Sequence, residues 1–507
     1  MFVEEEGKEE PLVAEVKEKK MTWVEVGLLL FGFSSPSACV GVCYSVGATG
    51  VVLGPLLCII VTLATCIGAL MLNELVVELN PAECELEAVG RMVLGKRGGL
   101  AGRVLQEGNF FLYMPVALLI CAEAAQDFMP VATYRNRCVD YYVVFVAFFC
   151  FSLTQLRRVT GRGAAFLSYL SLISCFVVVA LLLVVVVTDP DPYPESELYL
   201  KKEKASFFGN PDMREDFGSV TWRRGYSNLM LGASTTAWAF VPTFITVESS
   251  RALKFPKRDF EKGLALAAFL NVLFFFLAGI VAVLMWGWRL EDPIMATEDV
   301  WPSARTTSRT LNFFWFVATA ISYAFSSMAL TDACQRRWLP TFNLDDWSLS
   351  SFLTWGLISL PSFCLALLFA IAVPSLFAML AVTTACTVPW VNNLYPAVLY
   401  YYHTKNKKIV SEKTTTENIG GEGYSLLLSD EKAASSSLMR KDIDQTFLIK
   451  HISPNTLVAF TFGVGLLIFI CCAVGAVAKL ADHQLRGPTA IGCPGWQIFE
   501  DDLNAMS

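Results

Sequence analysis

Apolar residues run along this chain in long blocks joined by short polar connections. A helix needs about 20 such residues to cross the hydrocarbon core of a bilayer. Eleven blocks meet that length, at 24–48, 51–78, 104–129, 140–156, 164–188, 226–247, 261–288, 309–331, 349–371, 373–400 and 454–480. The pattern predicts an all-α integral membrane protein of eleven transmembrane helices. The polar remainder sets off an acidic N-terminal segment (1–23), a ten-span core (24–400), a connection (401–453) and a C-terminal tail (481–507) around the last span.

Two blocks are interrupted at mid-depth. The first reads LLLFGFSSPSACVGVCYSVGATGVVLG, with Gly32, Ser34, Ser35, Pro36, Ser37 and Gly41 where a plain anchor would carry leucine and valine. Proline removes a backbone donor and clashes with the carbonyl one turn back, so regular helix is not expected through Pro36. The sixth reads NLMLGASTTAWAFVPTFITVESS, with Gly232, Ser234, Thr235, Thr236 and Pro242 at the same depth. Either alone is explained by a kinked helix whose small residues allow close packing. Paired at positions one and six, they predict two five-span units in inverted repeat, with a binding site between the broken helices. Half-helix N-termini offer amide donors to an anion, and unwound carbonyls accept from an ammonium group or coordinate a cation. No Asp, Glu, Lys, Arg or His lies in the middle of either block, which favours a small, net-neutral ligand such as a zwitterion.

Composition agrees with the pattern. Of 507 residues, 54% are hydrophobic and 17% charged, and the mean hydropathy is +0.51, which excludes a soluble domain on a single anchor. The net charge of −7 sits partly in MFVEEEGKEE, a start without the basic n-region of a secretory signal. There is no basic footprint for nucleic acid. Three histidines (His403, His451, His483) and no paired CxxC argue against zinc or a histidine-based triad. Most of the 15 cysteines lie in apolar runs; Cys138 and Cys493 fall in polar segments and form a candidate pair if both face outside.

Lys and Arg in the short loops orient the chain. Lys96, Arg97 and Arg103, then Arg157, Arg158 and Arg162, then Lys254, Lys257, Arg258 and Lys262, then Arg336 and Arg337, then Lys405, Lys407 and Lys408 all fall on one side. That places the N-terminus in the cytosol and the C-terminus outside, against one mixed loop at 189–225. The 401–453 connection is then cytosolic, and its Lys, Thr, Glu, Gly and Ser content predicts disorder. Within it EGYSLL (Glu422 to Leu427) has the form of a sorting signal for cytosolic adaptors.

Ionisable residues within the spans are few. Glu107, accompanied by Asn109, is the candidate proton or cation partner. Glu248 and Arg251 close span six with the spacing of a local ion pair. Span eight carries Thr319, Ser322, Ser326 and Ser327, hydroxyls that suit a hard cation or serve as interhelical glue.

SACVGVCYSVGATGVVLG (Ser37 to Gly54) resembles the first-helix signature of the amino acid/auxin permease family, and is most similar to its sodium-coupled neutral amino acid transporter branch. The likeness continues in LNELVVELNP (Leu72 to Pro81), LGKRGG (Leu94 to Gly99) and FPKRDFEKGLALA (Phe255 to Ala267). It is also clear in AIAVPSLFAMLAVTTACTVPWVNNLYPAVLYY (Ala370 to Tyr401). The resemblance implies a LeuT-like 5+5 core with one extra helix, and amino acid transport by alternating access. It implies a carboxylate cradle at Ser37, Ala38, Cys39, Val40 and Gly41, and an amine site at Ala237, Trp238, Ala239 and Phe240. It also implies an ion-coupling hydroxyl at Ser326 or Ser327. The chain departs from the branch pattern at Pro36 and Ala38, and has Gly32 where that branch carries an asparagine implicated in sodium binding. Sodium and proton coupling through Glu107 therefore stand level.

The expected function is a cation-coupled secondary transporter of small neutral amino acids, in the plasma membrane or an endolysosomal or vacuolar membrane. No cofactor is expected beyond Na+ or H+ as coupling ion. The alternative is an amino-acid-sensing transceptor that signals through the cytosolic connection. An enzyme fares poorly because no His, Cys or acidic pair converges in the spans, and no repeat would line a channel filter.

Overall fold

Backbone hydrogen bonds in a low-dielectric setting must be met within the chain, and helices meet them locally. The computed structural model describes residues 21–38, 41–50, 52–81, 85–128, 139–155, 162–188, 220–280, 305–339, 348–372, 376–420 and 452–485, nearly all of them helical. In chain order the helices are α1 (Trp23–Ala38), α2 (Gly41–Thr49), α3 (Leu53–Leu79), α4 (Leu86–Phe128), α5 (Val139–Thr154), α6 (Arg162–Thr188) and α7 (Val220–Trp238). A 3-10 turn (Pro242–Ile245) leads into α8 (Thr246–Ala252). There follow α9 (Pro256–Phe274), continued by a π turn (Phe275–Ile280), α10 (Arg305–Trp338), α11 (Leu349–Ala372) and α12 (Leu376–Pro389). A second π turn (Trp390–Leu394) joins α12 to α13 (Tyr395–Gly420), and α14 (Pro454–Leu485) is last. Six of the described helices are long and apolar enough to cross a membrane.

Local chemistry sets the ends. Thr22 and Glu25 form a reciprocal cap on α1, with the Glu25 carboxylate accepting from the Thr22 N–H (2.7 Å) and the Thr22 hydroxyl accepting from the Glu25 N–H (3.3 Å). Asn80 closes α3 in the left-handed region (φ 42°), its N–H donating to the Val76 carbonyl, and Pro81 follows. Gly95 takes φ 74° and joins two helices of different direction within α4, a backbone conformation glycine adopts without steric cost.

Two expectations are corrected, at Pro36 and in the 401–453 connection. Helix runs through Pro36, because the carbonyl that proline leaves unmet is taken up from elsewhere, as described below. Helix also begins at Leu86, well before the apolar block at 104, since the mixed run LEAVGRMVL is helical but not lipid-like. Within the 401–453 connection, α13 continues unbroken to Gly420; YYHTKNKKIVSEK contains no glycine or proline to stop it. The candidate pair Cys138 and Cys493 and the EGYSLL run lie outside the described residues.

Helix α10 packs along α4 and α6 at the centre of the bundle, while α11 and α14 lie outermost, with about a third or less of their apolar windows buried. Contacts near the middle rely on missing side chains. A Cβ on Gly68 of α3 would stand 2.1 Å from the Asn392 carbonyl oxygen, and one on Gly27 of α1 2.8 Å from that of Gly263. Tyr395 donates its hydroxyl to the Gly98 carbonyl (2.6 Å) inside a notch made by Gly90, Gly98 and Gly102.

Candidate functional site

Two chain segments carry the candidate site. In the first, α1 is described to Ala38 and α2 from Gly41, so Ser37, Ala38 and Gly41 are helical, while Cys39 and Val40 between them lie outside the described residues. In the second, α7 ends at Trp238, the chain is non-helical through Ala239–Val241, and Pro242 opens the 3-10 turn before α8. Ala237, Trp238, Ala239, Phe240 and Val241 are all buried.

A break in a buried helix frees backbone groups that cost about 1–3 kcal/mol each if left unmet. Part of the Ala239–Val241 segment is met across the bundle: the Asn392 side-chain amide, on the π turn after α12, donates to the Phe240 carbonyl (3.4 Å). The Ala239 N–H reaches back to the carbonyls of Thr235 and Thr236 (3.2 and 3.3 Å). The Nε1 of Trp238 and the hydroxyl of Thr243, one on each side of the break, are buried without a hydrogen-bond partner among the described residues. Polar groups in that state are what a bound polar ligand would engage.

Aromatic packing sets the wall beside this segment. Trp238 lies flat on Tyr113 of α4, ring centroids 5.1 Å apart and 7° from parallel. Further out, α2 and α7 are held together by hydroxyls. Ser45 donates to the Gly232 carbonyl (2.8 Å) and meets the Thr236 hydroxyl, and a Cβ on Gly232 would stand tight, 3.0 Å from Ala48, 3.1 Å from Thr49 and 3.2 Å from the Ser45 carbonyl. At the opposite end, the Met21 N–H donates to the Ala252 carbonyl (2.9 Å), tying the start of α1 to the end of α8.

The proline in α1 explains a second polar contact. Pro36 has no N–H for the carbonyl four residues back, which is that of Gly32. That oxygen accepts from Ser171 of α6 (3.3 Å), and from Ser322 of α10 (3.4 Å), whose single hydroxyl proton is shared with the Ala318 carbonyl on its own helix (3.2 Å). Two neighbouring helices thus supply what the proline withholds, as broken membrane helices require. Ser326 donates to the Ser322 carbonyl (3.2 Å), and the Ser327 carbonyl accepts from Thr331 (2.7 Å). Both serines are buried on α10, but it is Ser322 that reaches α1.

Glu107 sits away from the breaks, at the Lys/Arg-rich end. Its carboxylate accepts from Arg337 (2.8 Å) and lies 3.5 Å from Arg103, while Arg337 also reaches Glu87 (3.5 Å) and Arg336 pairs with Glu85 (2.9 Å). The structure therefore buries Ala237 to Phe240 at a break in the sixth span, places Ser37, Ala38 and Gly41 on helices α1 and α2, puts Ser326 and Ser327 on the central helix, and sets Glu107 in an ion-pair network. Sequence reasoning missed Tyr113, Ser171 and Asn392. Asn392 was within reach as one of two adjacent polar residues in an apolar block; Tyr113 and Ser171 carry no sequence signal distinguishing them from other small or aromatic residues in spans.

Comparison with known proteins matches these features to a family. A search of curated proteins found no match. Among solved structures, the crystal structure of MhsT in complex with L-phenylalanine, a LeuT-fold transporter, superposes with a TM-score of 0.54 at 12% sequence identity. The match covers 91% of this chain and 100% of that one, so it speaks for the fold. The family model for transmembrane amino acid transporter protein matches residues 19–420, a stretch that contains α1, α2, the break at Ala239–Val241, the Tyr113–Trp238 stack and Asn392. This chain is an integral, multi-pass membrane protein that belongs to the transmembrane amino acid transporter family.

Proposed function

We propose that the protein is a secondary active transporter that moves small neutral amino acids by alternating access around the breaks in its first and sixth spans, coupled to a Na+ or H+ gradient. The proposal includes eleven spans: a 5+5 inverted-repeat core and one further helix, α14. The observation that carries it is the buried, non-helical Ala239–Val241 segment, flanked by unmet polar groups on Trp238 and Thr243 and lined by no charged side chain among its own residues. Such a segment suits a zwitterion, whose charges are met by backbone dipoles rather than side-chain ions. The Ser37–Gly41 break would take the carboxylate, and the Ala237–Phe240 carbonyls the ammonium. That MhsT was solved with L-phenylalanine supports an amino acid as ligand.

The two coupling ions draw support from different places. Gly32 O, Ser171 and Ser322 form an oxygen cluster at the α1–α6–α10 junction, and neutral oxygens suit a hard cation such as sodium. The fit requires both hydroxyls to turn their lone pairs inward, since Ser171 now donates to Gly32 and Ser322 shares its proton between Gly32 and Ala318. Protons would use a carboxylate.

Uptake of a labelled neutral amino acid panel into proteoliposomes tests the reading, first under a sodium gradient, then under an inward proton gradient without sodium. Gradient-driven accumulation of at least one amino acid is expected; binding without accumulation under either gradient refutes transport. That outcome would favour the transceptor, a reading supported by the helical extension of α13 to Gly420. Deleting 412–440 separates the two, because a transporter keeps its uptake and a sensor loses its signal.

A further inference from the structure

The face that α9 turns outward changes character along its length. Arg258, Lys262, Ala265 and Phe269 are all exposed, Phe269 at 62%, and steps of four, three and four residues set them in one row down the helix. Phe260, Gly263, Leu264, Ala267 and Leu270 are buried on the other side. Over about 16 Å the row passes from two cations to an apolar surface. It starts at the Lys/Arg-rich end of the molecule, just after α8, and finishes within the apolar body of the seventh span.

Lys254 and Phe255, immediately before α9, extend the cationic end. Phe255 is 49% exposed, and Lys254 Nζ and Arg258 Cζ lie 5.3 and 5.1 Å from its ring centroid. The run KFPKRDFEK (Lys254 to Lys262) holds four cations and two acids. Asp259 is buried and engaged by Arg258 (2.9 Å), which leaves Glu261 against Lys254, Lys257 and Lys262. None of these lysines forms an ion pair among the described residues. The start of α1 lies alongside: a Cβ on Gly263 would stand 2.8 Å from the Trp23 carbonyl oxygen, and Trp23 is itself exposed. An indole and unpaired lysines at the end of a span belong to the headgroup layer of a bilayer.

We propose that this face of α9 is a binding site for an anionic phospholipid. The headgroup phosphate sits among Lys254, Arg258 and Lys262, and an acyl chain lies along Ala265 and Phe269. Charge complementarity selects an anion, since lysines and arginines clustered at the end of a span attract acidic headgroups. The apolar continuation selects a lipid over a soluble phosphate or a phosphopeptide, because neither of those has a chain to cover Phe269. The two halves of the row thus match the two halves of one molecule. The proposal rests on the membrane assignment alone and holds whether or not the protein transports.

Native mass spectrometry of the purified full-length protein tests this. Detergent-solubilised protein is loaded with equal amounts of phosphatidylserine and phosphatidylcholine of the same chain length, and the lipid that stays bound is counted. The wild type should prefer phosphatidylserine. Lys254→Gln/Lys262→Gln should weaken that preference about 25-fold, at about fivefold for each cation removed. Arg258 is left in place because it holds the buried Asp259. Lys405→Gln/Lys408→Gln, which removes two exposed cations of α13 at the same end, should change nothing. Glycerophosphoserine, the headgroup without its chains, should not displace the bound lipid at equal concentration. If the double lysine variant does not fold, the wild type still decides: raising salt from about 50 mM to about 500 mM should erode the preference. A preference that survives Lys254→Gln/Lys262→Gln or high salt, or that falls equally in Lys405→Gln/Lys408→Gln, overturns the site. Displacement by glycerophosphoserine overturns the lipid in favour of a soluble phosphate.

Discussion

Pro36 looks, from its covalent structure, like the residue that ends α1. It does not, because the Gly32 carbonyl that the proline leaves unmet accepts from Ser171 and from Ser322, the latter sharing its proton with the Ala318 carbonyl. Removing one hydroxyl leaves the other in place, so Ser171→Ala or Ser322→Ala alone should cost less than about 1 kcal/mol. Removing both strands a buried carbonyl, at about 1–3 kcal/mol. Pro36→Ala should then rescue the double variant by restoring the N–H within the helix, while doing little for the wild type. Thermal unfolding of the six combinations in detergent measures the coupling; a purely additive set would show that the hydroxyls are incidental. The site was half legible here. Gly32, Pro36 and Ser322 all stood out as polar or helix-breaking residues in apolar blocks, but that one residue's missing donor is another helix's hydroxyl depends on which spans touch, and hydropathy does not encode that.

Among the elements, the π turn Trp390–Leu394 does the most positioning for its length. A π turn widens the helix by one residue and re-aims the side chains around it. Asn392 is thereby brought to the Phe240 carbonyl, while the backbone oxygen of the same residue presses against Gly68 of α3. Gly68→Ala would set a methyl 2.1 Å from that oxygen, and backbone yields less than a side chain does. Overpacking of this kind costs about 1–3 kcal/mol. A lower melting temperature and a weaker apparent affinity for transported amino acid are expected together, because the turn must retreat from both contacts. An unchanged affinity in a destabilised variant would uncouple Asn392 from the broken helix. Interrupted helices were readable from Gly, Ser, Thr and Pro clustered at mid-depth; this turn was not, since VPWVNNLYP carries a second polar pair that fits a regular helix equally well. The start of α4 was hidden for the opposite reason: its residues form a helix, but too polar a one to register as a span.

For the whole molecule, apolar exposure follows position in the bundle. On α11, Leu349, Leu357 and Leu368 are exposed, with Leu357 at 69%, whereas Phe363 and Ala366 on the other face are buried. In a membrane protein an outward apolar face meets lipid, so α11 reports the bilayer directly. Leu357→Lys should lower membrane insertion, with a penalty of about 2.5–3.5 kcal/mol at mid-depth. Leu357→Phe should be nearly neutral by the same glycosylation-reporter or protease-protection assay. Equal insertion of the Lys and Phe variants would put this face against protein. The family assignment explains why so much of the architecture was readable from apolar blocks alone. A bilayer imposes one length and one polarity on every span, a constraint that soluble cores lack. Relations between spans, such as Tyr113 lying flat on Trp238, answer to packing and stay out of view.

The backbone bond from Met21 to Ala252 has a mechanical consequence. The inner halves of the two broken helices share a rivet at their tips, so a rotation of α1 either shears that bond or drags α8 along. While the bond holds, the two behave as one lever with one degree of freedom. Its fulcrum would lie at Ala239–Val241, where the sixth span already lacks continuous helical hydrogen bonding to resist bending.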